Sequence, residues 1–266
     1  MATGPNPAMA AVRVLNARRV SKPAPAGTAV ADHSLLAPIL DGLRTGGVST
    51  LPLEGGAIDA YRDAVSSLSP DAMSPSEALA FWINLYNAGA LRATGIAFMD
   101  GAASAVQVPG AFTTPWVQVD GEPLSLEDIE HGKIRRFGDP RIHAALVCGS
   151  ASCPTLRFEP FDGARVNDQL NEQIRTFLGS GGASIDRSRS TITFSRIFLW
   201  YGRDFTRPDL MPTIGLSQPA RLRDTLAWWL GSPDQEYVWT VSPDVKFSSY
   251  DWQLTCAVSQ PPTTVP

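Results

Sequence analysis

Ser74 to Leu91, SPSEALAFWINLYNAGAL, is the stretch that most restricts how this chain can fold. Ser74 is placed to cap a helix, Pro75 suits its first turn, and Glu77 completes a capping box. Beyond them Phe81, Trp82, Ile83, Leu85 and Tyr86 cover nearly every face. A helix without a polar face has to be wrapped by other elements, so the fold is expected to form around it. Asn84 and Asn87, three apart on one side, are the polar exceptions. A buried amide without a partner costs about 1–3 kcal/mol. Each is therefore expected either to tie down a neighbouring loop or to orient a catalytic group or substrate carbonyl.

The elements around this helix come in a telling order. Leu35–Leu43 and Ala57–Leu68 read as short amphipathic helices, with glycine breaks at Gly46-Gly47 and Gly55-Gly56. Val117–Leu124 reads as a hairpin turning at Asp120-Gly121, and Ser125–Arg136 as a second capped helix. Then come a strand at Ile142–Cys148, a helix at Val166–Leu178, a strand at Thr191–Leu199 and a helix at Leu222–Leu230. Late strands are expected at Tyr237–Val241 and Phe247–Leu254. Helices first and a mixed set afterwards predict an α+β fold, a mixed or antiparallel sheet packed on a buried central helix. The expected organisation is a flexible arm over residues 1–31, one domain over 32–258 and a disordered tail over 259–266.

Composition narrows the function. At 266 residues, 44% hydrophobic and 18% charged, the chain reads as an ordinary soluble globular protein. A net charge of −4 with no Lys/Arg run argues against a nucleic-acid partner. No apolar run is long enough for a membrane helix, and the N-terminus lacks a secretory signal's apolar region. Three cysteines cannot all pair, so a reducing, cytoplasmic setting is expected.

Chemistry concentrates in RIHAALVCGSASCP, Arg141 to Pro154, which holds one of three histidines and two of three cysteines. An imidazole near a thiol can take its proton, and the thiolate can attack a carbonyl. On a regular strand His143 and Cys148 face opposite sides, and Cys148 shares its face with Ile142, Ala144 and Leu146. Cys153, beyond the Gly149–Ser152 loop, is free to fold back and is the preferred nucleophile, with Cys148 the other candidate. The loop can also offer backbone N–H groups to an oxyanion. The acid that orients the histidine is Glu130, Asp204 or Asp251. A packing role competes, since cysteine is often a small buried hydrophobe.

Several segments together resemble one family: AFWINLYNA (Ala80–Ala88), LEDIEHGKIR (Leu126–Arg135), IH…CGSASCPTLR (Ile142–Arg157), FLWYGRDF (Phe198–Phe205) and YDWQL (Tyr250–Leu254). The family is the domain of unknown function 547, and these anchors follow its order over roughly residues 74–255. The resemblance implies a kinship with papain-like and transglutaminase-like cysteine folds, as a fold-level analogy. Two positions depart from the motif. Ala144 stands where the family has an aromatic, leaving more room beside His143, and Thr255 stands where it has Asn.

Glu130 and His131 are neighbours on a helix, so they point about 100° apart and make no dyad by themselves. His131 can instead be held by Glu127 or Arg135 at i±4. The C-x4-C spacing with one nearby histidine is not a zinc pattern, and no phosphate loop is present, so neither metal nor cofactor is expected. WYGRDF and YDW can be pocket walls or core anchors, with Arg203 or Arg157 available to pair a buried Asp204 or Asp251. Two function classes follow. One is a cysteine-dependent acyl-transfer or hydrolysis enzyme for a small amide, ester or thioester, with Cys153, His143, Glu130 and Cys148 catalytic and Asn84, Asn87, His131 and Asp204 around the substrate. The other is a non-catalytic binding or scaffold domain using the same cleft.

Overall fold

A computed structural model describes residues 7–261. Residues 1–6 of the expected arm and 262–266 of the expected tail lie outside the described residues. The fold is α+β. Helices α1 (Pro7–Asn16), α2 (Leu36–Gly46), α3 (Leu51–Ser66) and α4 (Pro75–Met99) come first. The β1 (Val117–Val119) and β2 (Glu122–Leu124) hairpin, helix α5 (Val166–Phe177), and strands β3 (Ala183–Asp186) and β4 (Thr191–Phe194) follow. Helices α6 (Arg196–Thr206), α7 (Pro219–Leu226) and α8 (Ser232–Val241), then strand β5 (Asp244–Phe247), complete it. No helix among the described residues is long and apolar enough to cross a membrane.

Helix α4 is the centre of the larger core. Every residue from Glu77 to Leu91 is buried, as its all-round apolar pattern requires. Ser74 caps it by accepting from the Glu77 N–H at 3.2 Å. The Glu77 carboxylate does not turn back to close a capping box; it accepts from the Ala31 N–H at 3.0 Å. Gly89 permits the closest contact, because a Cβ there would fall 2.6 Å from both Leu126 and Trp116 side-chain atoms. The hairpin beside it turns at Asp120 and Gly121, both at positive φ, as a two-residue loop of that twist demands.

A second core gathers Phe177, Phe194, Phe198 and Phe205 from α5, β4 and α6, with Leu222 and Leu226 from α7. Behind it lies the three-stranded sheet, antiparallel between β3 and β4 and parallel between β4 and β5. The segment from Ile142 to Val147 joins the two cores: Ala144 packs in the second, and Ile142, Ala145, Leu146 and Val147 in the first.

Several expected elements take other forms. Ile142–Cys148 is not a strand. Asp139 accepts from the Arg141 N–H and starts a short 3₁₀ turn, Pro140–Ala144, and Asn87 replaces a strand partner beyond it. The expected strand Thr191–Leu199 stops at Phe194, because Ser195 caps α6 by accepting from the Ile197 N–H. Tyr237–Val241 is helical, in a helix with proline in its first turn, and the ladder of β5 ends at Phe247. Gly55 and Gly56 lie within α3, whose buried Leu51, Ile58, Tyr61 and Val65 hold one helical face together. The segment from Arg13 to Ala29 is bonded to the rest of the fold. The Arg13–Glu127 ion pair (2.8 Å), the Lys133 Nζ bond to the Ser21 carbonyl (2.9 Å) and the bond from the Ala29 N–H to Ala72 O (2.9 Å) fasten it.

His33 sits in the first core with Nδ1 2.8 Å from the Tyr61 hydroxyl and with no partner for Nε2. Burial pushes its pKa down to about 4. A base depressed in the fold contributes fully above its unfolded value near 6.5, and that contribution is lost as pH falls towards 4. Urea unfolding from pH 7 to 4.5 should show wild-type stability falling by up to ~1.4 kcal/mol per pH unit from this residue. His33→Asn, which keeps an amide for Tyr61, should remove that component. Equal slopes in both proteins would refute it.

Candidate active site

The walls of one cavity, about 340 Å³, come from both cores. Tyr86 of α4, Glu130 and His131, His143, Cys148 and Cys153, Tyr201 of α6, and Tyr250 all face it. It is the place where the sequence motifs meet.

His143 presents an imidazole fixed from behind. Its Nε2 lies 2.9 Å from Asp204 Oδ2, and its ring stacks on Tyr201 with centroids 3.9 Å apart. Asp204 is fully buried. Its Oδ2 also accepts from Arg135 Nε at 2.8 Å, and its Oδ1 from the Thr213 N–H at 3.0 Å and the Thr213 hydroxyl. Burial alone would raise this carboxyl, but His143, Arg135 and Thr213 hold it far below the usual range. An ionised carboxylate only accepts, so His143 carries its proton on Nε2 and keeps a lone pair on Nδ1. Burial lowers the imidazole's pKa against the pull of Asp204, which leaves it neutral near pH 7. Among the described residues Nδ1 has no hydrogen-bond partner.

Glu130 and His131 stand on a π-helical turn, Asp128–Lys133, where the Ile134 N–H reaches back to Ile129 O. The wider turn brings neighbouring side chains closer than an α-helix would, and His131 Nδ1 lies 3.4 Å from Glu130 Oε1. The expectation that adjacent residues diverge fails for that reason. Glu130 accepts from the Tyr201 hydroxyl at 2.8 Å and the Tyr86 hydroxyl at 3.2 Å. Burial pushes its carboxyl up, yet the neighbouring His131 and His143, the Arg135 charge and the Tyr201 bond hold it below the usual range. Burial takes His131 down to about 4. Arg135 NH1 is 3.4 Å from His131 Nδ1, so of the two expected helix partners Arg135 makes the contact.

The thiols meet at the mouth of a rigid loop. Gly149 takes φ +71, and a Cβ there would strike Thr94 Oγ1 at 2.2 Å. The loop is laced to the C-terminal segment by the Ala151 N–H to Gln253 O and the Ser152 N–H to Asp251 O bonds. These amides, and that of Cys153 on Ser150 O, are occupied, which leaves the Gly149 and Ser150 N–H groups as the loop's donors for an oxyanion. The Cys148 N–H donates to Cys153 Sγ at 3.1 Å, and two hydroxyls able to donate, Ser150 Oγ at 3.2 Å and Tyr250 at 3.4 Å, stand beside the same sulfur. Cys148 Sγ is 3.0 Å from Cys153 Sγ. Burial pushes the Cys153 thiol up, and the bonds from Cys148, Ser150 and Tyr250 overcome it, bringing it to about 6. The bond to Cys153, with burial, drives Cys148 the other way.

Of the residues the sequence singles out, Cys153, Cys148, His143, Glu130 and His131 line the cavity. Asp204 stands behind His143 and orients it, so it does not border a substrate. Asn84 and Asn87 also stay behind the wall. Asn84 clamps the Phe161 amide and carbonyl, and Asn87 spans Ala145 O and the Val147 N–H. Asp251 is exposed and bonds to the loop through its backbone. Arg203 turns to Ile214 O and Arg157 to Glu159, leaving Arg135 as the cation on Asp204. Tyr250, in the YDW segment read as a pocket wall or core anchor, lines the cavity, whereas Tyr86 and Ser150 are site residues that motif reading passed over. Their signal was a hydroxyl inside an otherwise apolar or small-residue stretch. Ala144, the departure beside His143, is filled by the second core, and Thr255 is exposed. No group of three or more His, Cys, Asp or Glu among the described residues is placed to hold a metal ion.

The model of the family described as "Protein of unknown function, DUF547" matches residues 70–178. That stretch carries the α4, Glu130-His131 and His143–Cys153 motifs, so the resemblance seen in them holds there; Asp204 and Tyr250 lie beyond it. No curated protein and no solved structure matches the chain.

Asp204→Asn should destabilise the protein by about 3–5 kcal/mol in chemical denaturation, since it strips the buried Arg135 of its counter-charge. Thr213→Val, which removes one donor, should cost only about 1 kcal/mol. Comparable losses in the two variants would show that the ion pair is not the anchor.

Proposed function

We propose that the protein is a cysteine-dependent enzyme that transfers or hydrolyses the acyl group of a small amide, ester or thioester. One observation carries this reading. A thiol ringed by three donors and a neutral imidazole with an unpartnered nitrogen, oriented by a buried carboxylate, border the same cavity. Cys153 is a thiolate near neutral pH and attacks the carbonyl carbon; the bond from the acyl carbon to the amine, alcohol or thiol breaks, and that group leaves with a proton from solvent, so that a thioester on Cys153 remains. The Tyr250 hydroxyl, kept protonated by burial and by the neighbouring thiols, is the donor for the developing oxyanion. His143 Nδ1 then takes the proton of the water or acceptor that attacks the thioester. The thiolate departs readily because its pKa is low.

A cavity of about 340 Å³ walled by Trp200, Tyr201, Tyr250 and Trp252 suits a small or peptide-like substrate with an apolar acyl part. The Ser-His-Asp logic of hydrolases recurs on unrelated folds, so the analogy with papain-like enzymes concerns roles, not ancestry. Three free cysteines fit a reducing compartment such as the cytoplasm.

The reading is tested with an activated acyl ester and an electrophilic thiol probe, followed by intact mass. Labelling of wild type should rise with a midpoint near pH 6 and vanish in Cys153→Ala. Tyr250→Phe should move the midpoint upward. Cys148→Ala should remain labelled. With the ester, wild type should turn over, and His143→Ala should accumulate the acyl-enzyme. Slow labelling of both thiols, with a midpoint near the free-thiol value of about 8.5 and no acyl-enzyme in any variant, would leave a binding domain in its place.

A further inference from the structure

We propose that Cys148 and Cys153 form a redox-active dithiol, a site at which a small hydroperoxide closes a disulfide and a thiol reductant reopens it. Acyl chemistry needs only one sulfur. The cavity wall holds two, 3.0 Å apart, with Cys153 Sγ also accepting the Cys148 N–H. A disulfide bond of about 2.03–2.05 Å requires the sulfurs to close by roughly one ångström. The loop between them does not need to refold for this. Gly149 supplies the left-handed turn, and the Ala151 and Ser152 amides already pin the loop to Gln253 and Asp251. Ser150 Oγ and the Tyr250 hydroxyl bond to each other at 2.7 Å and each lies within 3.5 Å of both sulfurs. Proton donors therefore stand where a departing hydroxide would form. The third cysteine, Cys256, is buried, and burial pushes its thiol up, so it does not compete.

The chemistry balances. The Cys153 thiolate attacks one peroxide oxygen, the O–O bond breaks, and the hydroxide released takes a proton to become water. Cys153 is left as a sulfenic acid. Cys148 sulfur then attacks Cys153 sulfur, the S–O bond breaks, and the hydroxide leaves as water with the Cys148 proton. Two thiols and one hydrogen peroxide give one disulfide and two waters, and the two electrons pass from the sulfur pair to the peroxide. A dithiol reductant returns two electrons and two protons by exchange. This proposal does not rest on acyl chemistry, although the disulfide would remove the nucleophile that chemistry uses.

The full chain, reduced and freed of reductant, is treated with hydrogen peroxide and read by intact mass and thiol alkylation. Wild type should lose the mass of two hydrogens, fall from three alkylatable thiols to one, and recover on adding dithiothreitol. Peptide mapping should place the bond between Cys148 and Cys153. Cys148→Ser should instead stop at a sulfenic acid on Cys153, trapped by a 1,3-dione. Cys153→Ser should leave Cys148 reduced under the same conditions. Addition of oxygen to wild-type Cys153 without loss of two hydrogens would overturn the proposal, as would three thiols remaining or a bond involving Cys256. Both wild-type readouts stand even if a single variant folds poorly. Because they involve no acyl donor, they fail independently of the acyl-enzyme test.

Discussion

A carboxylate with no access to water has to be surrounded by donors, and Asp204 obtains them from three separate parts of the chain. Arg135 comes from the 3₁₀ turn that follows the π-helical segment, His143 from the 3₁₀ turn that joins the two cores, and Thr213 from the loop after α6. The cost of burying the charge unpaired is several kcal/mol, so these segments are held together or the fold is lost. Their meeting decides the rest of the site. It fixes His143 in one tautomer, stacks it on Tyr201, and leaves its second nitrogen towards ligand chemistry. A residue behind the cavity wall thus sets the tautomer of one that lines it.

The cavity follows from the way the two cores abut. Helix α4 is apolar on every side and packs with α3 and the π-helical segment, with the hairpin against α3; α6 packs with α5, β4 and α7. Where the two bodies meet, their surfaces cannot be both fully polar and fully apolar. Tyrosines resolve this, presenting rings to the cores and hydroxyls to the seam. Tyr86 and Tyr201 give their hydroxyls to Glu130, and Tyr250 gives its own to the thiol loop. The π-helical turn serves the same end, rotating Glu130 and His131 together to face the seam.

Local signals that rest on one mechanism were legible in the sequence. The Ser74 cap, the all-apolar α4 and the Asp120-Gly121 turn follow from capping, hydrophobic period and backbone sterics, and each is present. The concentration of candidate groups around Cys153, His143 and Glu130 was legible too, because reactive residue types cluster in short polar interruptions of apolar runs. What failed depended on tertiary partners. Ile142–Cys148 has a strand's composition, but Asn87 supplies bonds that a neighbouring strand would have made. Arg196–Leu199 has β-branched and aromatic character, yet Ser195 caps it into α6. Whether Asp204, Glu130 or Asp251 orients His143 depended on distances across 61 residues of chain in the case that holds, and no local pattern encodes that.

The low pKa of Cys153 is reached without a bonded cation. Among the described residues no lysine, arginine or histidine bonds to Cys153. The charge is carried instead by oriented dipoles: one backbone N–H, two hydroxyls and the second thiol. Such a pair titrates as a unit, the first proton lost readily because the second thiol, still protonated, can donate to the sulfur that lost it. The same asymmetry that makes Cys153 the first to ionise keeps Cys148 protonated. In the two proposed reactions Cys148 thereby remains a donor while Cys153 is the nucleophile, and becomes a nucleophile itself only once Cys153 turns electrophilic. The proposed acyl transfer and the proposed disulfide formation share their first half, the presentation of one sulfur as an anion to a cavity with aromatic walls. What enters the cavity, a carbonyl carbon or a peroxide oxygen, decides which second half follows.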